Sequence, residues 1–330
     1  MEAEKRSLLD IQDLRVEFAV RKQQIEVLRG VSLRVEAGEV IGLVGESGSG
    51  KSVFAKALMR ILPPAGRITE GFARFHGQDI AHFDNDGLRR LRGDRMAMIF
   101  QDPMGTLNPV MRIDAQMMEA ILSHHTISKA EARKKCLESL AKVGIPSPRE
   151  RLRSYPHQLS GGMRQRVAIA TALLNEPDLI LADEATTALD VTIQAQILHE
   201  IRKLCVEGGT ALIWISHDLA VVSGIADSIA VMYAGRIVEY GPTREIITRP
   251  RHPYTRGLID SIPEKEYRGQ ALHQIPGLMP NPSDLPSGCT FHPRCSRVKE
   301  ICRNEDPERN FDQQNIYRCH NPLPRKSSDG

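Results

Sequence analysis

Val40-Ile41-Gly42-Leu43-Val44-Gly45-Glu46-Ser47-Gly48-Ser49-Gly50-Lys51-Ser52 decides how the rest of the chain is read. An apolar run ends in Gly45 to Ser52, which fits the pattern G-x-x-x-x-G-K-[ST], and a helical pattern follows. Strand, glycine-rich turn and helix in that order predict a phosphate loop in an α/β fold. Gly45, Gly48 and Gly50 let the backbone curl so that N–H groups of Glu46, Ser47 and Ser49 can face phosphate oxygens. The following helix adds its positive N-terminus. Lys51 is then placed for the β/γ-phosphates and the Ser52 hydroxyl for Mg²⁺, so ATP with Mg²⁺ is the expected ligand.

Outward from this loop, residues 179–182 and 211–215 are further short apolar runs, each followed by polar residues and a helical pattern. Buried parallel strands read this way. Residues 15–18 and 25–35 alternate apolar and polar, which predicts half-buried strands of an antiparallel N-terminal sheet joined at the polar turn 21–24. From residue 101 to about 175 the spacing becomes helical, with segments at 115–122, 129–143 and 162–174. A helical subdomain inserted into the sheet domain is expected, punctuated by Ile145-Pro146-Ser147-Pro148. Eleven of the 20 prolines fall after Arg249 and disfavour long regular elements there. The predicted organisation is an ATP-binding domain over 1–248, with its helical subdomain at about 101–175, and an irregular extension over 249–330.

Composition narrows the class. The 330 residues can bury one large core and an appendage, and they do not hold two such ATPase units. Net charge is only +3, which argues against a nucleic-acid binder with its concentrated basic face. Thirteen Lys/Arg against ten Asp/Glu from Arg249 onward account for that whole excess, as a solvated basic surface or one facing acidic lipid. Charged residues occupy the first positions, and no apolar run approaches the 18 to 20 or so residues of a membrane span, so a cytoplasmic location is expected. Six cysteines in a chain of this length do not describe a secreted disulfide scaffold.

Asp183-Glu184 closes the apolar run 179–182 and so falls at the carboxyl edge of the sheet, where α/β proteins bind ligands. Alone, such a pair reads as a solvated turn or a helix cap. Behind a phosphate loop it reads as a Mg²⁺ ligand, Asp183, and a general base for the attacking water, Glu184.

In order and spacing these motifs resemble the nucleotide-binding subunit of ABC transporters, with a RecA-like core of the P-loop NTPase type. Leu159-Ser160-Gly161-Gly162-Met163 is similar to the family signature, with Met163 where many members carry Gln. The resemblance implies that Ser160, Gly161 and Gly162 bind the γ-phosphate of ATP held by a partner subunit's loop. Gln101 resembles the Q-loop glutamine, which senses Mg²⁺ and the membrane domains. Ala188-Leu189-Asp190 resembles the D-loop at the dimer interface, His217 the switch histidine on the γ-phosphate, and Phe18 the adenine-stacking aromatic. Ala185 departs from the usual proline without removing a catalytic group.

Residues 101–109 and 155–163 together with Arg251-His252-Pro253-Tyr254-Thr255 narrow the resemblance to the dipeptide/oligopeptide/nickel importer group. The Met163 form of the signature is similar to that group's "D" member. This implies ATP hydrolysis coupled to solute import, by a peripheral subunit on the cytoplasmic face of a bacterial inner membrane. It implies as partners a second, homologous ATPase subunit in a heterodimer, two integral membrane permease subunits and, indirectly, an extracytoplasmic solute-binding protein. A nickel importer of the same group and a soluble, non-transport ABC ATPase remain alternatives. The cargo is left open, because the selecting surfaces belong to the binding protein and the permeases.

Cys289, Cys295, Cys302 and Cys319 cluster in the proline-rich tail, separated by five, six and sixteen residues. Four thiolates suit an iron–sulfur cluster or a structural zinc, and the Cys-x₂-Cys pairs of zinc ribbons are absent. The tail of the resembled group is associated with such a cluster, which implies [4Fe–4S], with Zn²⁺ as the alternative. Cys136 and Cys205 lie in helical patterns and read as small buried residues.

Overall fold

Alternating burial along β1 (Leu9–Val20) and β2 (Gln23–Val35) puts one face of each strand in a core, and Arg21 turns between them with φ +55°. In this computed structural model the described residues are 7–185, 191–262, 274–312 and 315–324. Beyond the hairpin the strands run β3 (Val40–Val44), β4 (Gly66–Phe75), β5 (Gln78–Asp79), β6 (Met96–Ile99), β7 (Leu179–Asp183), β8 (Ala211–Ser216), β9 (Ser228–Tyr233), β10 (Arg236–Pro242), β11 (Asn310–Asp312) and β12 (Asn315–Tyr317). The helices run α1 (Lys51–Leu58), α2 (Asn85–Leu91), α3 (Pro103–Thr106), α4 (Ile113–Leu122), α5 (Lys129–Lys142), α6 (Pro148–Arg151), α7 (Gly161–Leu173), α8 (Val191–Gly208), α9 (Leu219–Ser223), α10 (Thr243–Thr248), α11 (Pro253–Asp260) and α12 (Ile301–Asn304).

The chain divides into two compact units. The first holds Val35–Val40 and Ile80–Ile215 with a short N-terminal stretch; the second holds Leu9–Arg34, Ile41–Asp79 and Ser216 onward.

In the first unit β6, β7 and β8 pair in parallel, and β7 and β8 are buried along their whole length, as continuous apolar strands require. Helices α4, α5 and α7 pack on one another. Ser128 opens α5 with a capping box, accepting from Glu131 N while the Glu131 carboxylate accepts from Ser128 N. Cys136 and Cys205 are fully buried on α5 and α8, where burial pushes the first thiol up to about 11 and the second to about 12. Among the described residues no helix is long and apolar enough to cross a membrane.

The second unit contains the sheet β2-β1-β4-β5 and the strand series β11-β12-β10-β9-β3, parallel at β3/β9 and antiparallel at the other steps of that series. β1 begins six residues before the alternation at 15–18. At Asp13 (φ +47°) the β1/β4 register shifts, which interrupts the alternation read from sequence. Gly71 lies against that irregularity, and a Cβ there would stand 2.4 Å from Asp13 O. Gly42 on β3 admits α9, since a Cβ would meet Val222 Cγ1 at 1.9 Å.

Candidate functional site

The phosphate loop joins β3 to α1 within the second unit. A Cβ on Gly45 would lie 2.2 Å from Met232 O, so the chain leaves the strand against the β9 backbone at a point only glycine can occupy. Gly50 caps α1 at φ +107°. Ser47 and Gly48 are exposed, whereas Ser49 and Lys51 are buried. The Lys51 ammonium donates to Gly45 O at 2.7 Å, Glu46 O at 3.0 Å and Ser49 Oγ at 3.4 Å, so its charge is held inside the turn. Ser52 follows it, partly exposed, in the first turn of α1.

Glu46 sits in an unexpected setting. Its backbone N–H donates to the Tyr254 hydroxyl at 2.9 Å, and its carboxylate takes both arms of Arg294, at 2.6 Å (Nη1–Oε2) and 2.9 Å (Nη2–Oε1). Tyr254 belongs to a motif visible in the sequence. Arg294, 248 positions away from Glu46, carries no local signal.

In the first unit Asp183 ends β7 and is buried, with 5 % of its surface exposed. Glu184 follows in the left-handed region at φ +46°, a conformation uncommon outside glycine. Its N–H donates to Ile215 O at 3.0 Å, and its carboxylate accepts from Gln101 Nε2 at 2.9 Å. The structure thus brings together Gln101 and Glu184, two residues the sequence singled out separately. Ser160 caps α7, its hydroxyl accepting from Met163 N at 3.3 Å, with Gly161 and Gly162 in the first turn.

His217, in the second unit, is exposed just after β8, and Asp218 beside it caps α9. Phe18 is half-buried opposite Gly66, its ring so close that a Cβ on that glycine would lie 2.9 Å away. Residues 188–190, the D-loop match, lie outside the described residues.

The four tail cysteines line one small, largely enclosed cavity with His292 and His320. Each sulfur accepts a backbone N–H: Cys289 from Phe291, Cys295 from Arg297, Cys302 from Lys299 and Cys319 from Asn321, the last three at 3.4 Å. Burial pushes Cys289 up to about 12 and Cys319 to about 11, while a bound cation would favour the thiolates. As the side chains stand, no group of three His, Cys, Asp or Glu among the described residues takes up metal-ligating geometry.

A phosphate loop on a buried strand, a second buried strand ending in Asp-Glu and a serine-capped helix opening Gly-Gly define a P-loop ATPase of the ATP-binding cassette class. The profile described as ABC transporter matches residues 28–187, and that of the oligopeptide/dipeptide transporter C-terminal region matches residues 238–302. The chain is 46% identical over 317 residues to the oligopeptide transport ATP-binding protein OppD of Escherichia coli (strain K12), covering 96% of this chain and 94% of that protein. It is 45% identical over 296 residues to the dipeptide transport ATP-binding protein DppD of Bacillus subtilis (strain 168), covering 89% and 88%. Among solved structures it is similar to the dimeric MJ0796 cassette, a bacterial ABC transporter cassette, with a TM-score of 0.65 and 28% identity over 72% of this chain and 99% of that one. The chain belongs to the ABC transporter ATP-binding family and is an ATPase.

Proposed function

We propose that this chain energises the import of peptides, as one of two ATPase subunits working with two membrane permeases and, indirectly, a solute-binding protein. The observation that carries this reading is the pairing of a cassette with an oligopeptide/dipeptide-transporter C-terminal region in one chain. The domain division that fits it is 1–248 for ATP binding and 249–330 for the extension. The second ATPase would be a homologous "F"-type subunit, and the chain would act on the cytoplasmic face of the membrane without entering it.

In this reading the N–H groups of the loop Gly45 to Ser52 and the Lys51 ammonium hold the phosphates of ATP, and Phe18 stacks on its adenine. Ser52, Asp183 and Gln101 would hold Mg²⁺, which supplies charge neutralisation on the phosphates. Glu184 takes the proton of the attacking water, oriented by Gln101. His217 contacts the γ-phosphate, and Ser160, Gly161 and Gly162 bind the γ-phosphate of the partner subunit's nucleotide.

Cys289, Cys295, Cys302 and Cys319 would hold a [4Fe–4S] cluster, with Zn²⁺ as the other candidate. Four sulfurs on one cavity, each receiving an N–H, fit a thiolate-ligated group. Its role would be structural, since ATP hydrolysis needs no redox step.

The test is reconstitution with both permeases and the second ATPase in liposomes, with the solute-binding protein and a panel of labelled dipeptides, oligopeptides and Ni²⁺. Peptide should accumulate in an ATP-dependent manner and raise ATP turnover. Turnover that responds to Ni²⁺ and to no peptide would replace the peptide reading with the nickel one.

A further inference from the structure

Glu46 places a carboxylate inside a loop whose role, on the reading above, is to hold a polyanion. Left alone it would repel the phosphates and compete with them for Lys51. Arg294 removes that conflict by its two-armed pairing with both carboxylate oxygens. The pairing is built into the second unit. The Arg294 side chain is 5 % exposed, and its remaining donors go to Pro276 O at 2.7 Å and Gly277 O at 3.3 Å. Nη1 also lies 3.5 Å from the Tyr233 hydroxyl.

A second hold acts on the same residue. The Tyr254 hydroxyl accepts the Glu46 N–H, and Tyr254, Tyr233 and Phe291 pack ring on ring at centroid distances of 4.7 to 5.4 Å. Arg294 and Phe291 both lie between Cys289 and Cys295, so the segment that carries two of the cysteines also carries the clamp. From Glu46 the constraint passes to Lys51, whose ammonium is held by Glu46 O.

We propose that Arg294 is a positioning residue for nucleotide binding, which neutralises Glu46 and fixes the first turn of the phosphate loop, so that the C-terminal region sets the affinity for MgATP. This rests on the assignment of residues 45–52 to the phosphates of ATP. Preorganisation of the loop lowers the ordering cost on binding. Neutralisation acts separately, because removing the buried arginine leaves the half-buried Glu46 carboxylate uncompensated.

The test is equilibrium binding of a fluorescent MgATP analogue to the full chain, with MgATP as competitor. Arg294→Gln should weaken binding about tenfold, the effect of stripping a buried arginine from a half-buried carboxylate. Arg294→Lys, which cannot span both oxygens, should fall between that variant and wild type. Adding Glu46→Ala to Arg294→Gln should bring affinity back to within about threefold of wild type, because the repelling charge is gone. A purely structural arginine would show no such rescue. Wild-type affinity in Arg294→Gln, or a double variant as weak as Arg294→Gln alone, overturns the proposal. If Arg294→Gln does not fold, Arg294→Lys with and without Glu46→Ala carries the same comparison. Lys51→Ala serves as the control: if it binds as tightly as wild type, the loop assignment itself fails, whereas its weakening beside an unaffected Arg294→Gln sinks only the clamp.

Discussion

Gln101 donates its side-chain amide to the Glu184 carboxylate, Nε2 to Oε2 at 2.9 Å, across 83 positions of sequence. The donor sits just beyond β6 and the acceptor just beyond β7, two adjacent parallel strands. Parallel pairing carries both residues to the carboxyl edge of the sheet. The left-handed backbone at Glu184 (φ +46°) and the Glu184 N–H to Ile215 O bond then fix where its side chain departs.

Glu184→Gln tests the role assigned to this carboxylate. The amide keeps the shape and can still meet Gln101, but it cannot take the proton of water. MgATP binding should stay within about threefold of wild type while turnover in the assembled transporter falls by roughly 10²- to 10⁴-fold. Parallel binding and steady-state assays check this, and near wild-type hydrolysis would remove Glu184 as the base.

Lys51→Ala should act on binding itself. Its ammonium is buried and held by the Gly45 and Glu46 carbonyls inside the loop. Loss of one charge-assisted contact to phosphate predicts a rise in Kd of roughly 10- to 100-fold. Titration calorimetry with MgATP measures it, and an unchanged Kd would contradict the assignment.

The strands β3, β7 and β8 were legible because each is a short apolar run ending in polar residues, and burial on both faces leaves no other reading. Ser160 to Gly162 was legible as a helix start because a serine, a residue type that caps helices, stands just before a helical pattern. β4 was not. Half of its residues are exposed, and it is a strand because β1 offers it a ladder from Leu9↔Phe75 to Phe18↔Gly66. β9 is largely apolar, but neither it nor β10 ends in a motif that marks a strand. The pairs Gln101–Glu184 and Glu46–Arg294 join segments far apart in the chain, and such contacts leave no trace in spacing or periodicity.

Acid sensitivity should pass through His252. Its Nδ1 accepts the Tyr254 N–H at 3.0 Å at the start of α11, and complete burial lowers it from 6.5 to about 3. The native ring therefore stays neutral where the unfolded ring takes up a proton. The unfolded state binds more protons between pH 6.5 and about 3, so stability is full above 6.5 and is lost as pH falls through that window, by up to about 5 kcal/mol. Glu239, raised to about 7 by its burial, acts in the opposite sense, since its native form keeps a proton that the unfolded form releases above about pH 4.5. His252→Asn keeps a cap acceptor without a titrating ring. Melting temperatures from pH 8 down to 4 should fall less steeply in that variant than in wild type, and parallel curves would exclude His252 as the source.

The cysteine set makes the last prediction. Cys289 comes from a loop, Cys295 from the residue after the 3₁₀ turn His292–Arg294, Cys302 from α12 and Cys319 from the stretch after β12, and all four line one cavity. Each sulfur already has its backbone N–H, three of them at 3.4 Å. Hydrogen bonds of this kind orient thiolates and tune the metal they hold. Burial disfavours the thiolates of Cys289, Cys295 and Cys319 without a compensating cation, so a bound cluster or metal should stabilise the segment that also carries Arg294. Full-length protein purified anaerobically should be brown, with about four irons per chain and a broad visible absorbance, both lost in Cys295→Ser with Cys302→Ser. The same double substitution should lower the melting temperature. Colourless protein with one stoichiometric zinc would replace the cluster by a four-thiolate zinc site, and metal-free protein with an unchanged melting temperature in the double variant would leave the cysteines without a metal-binding role.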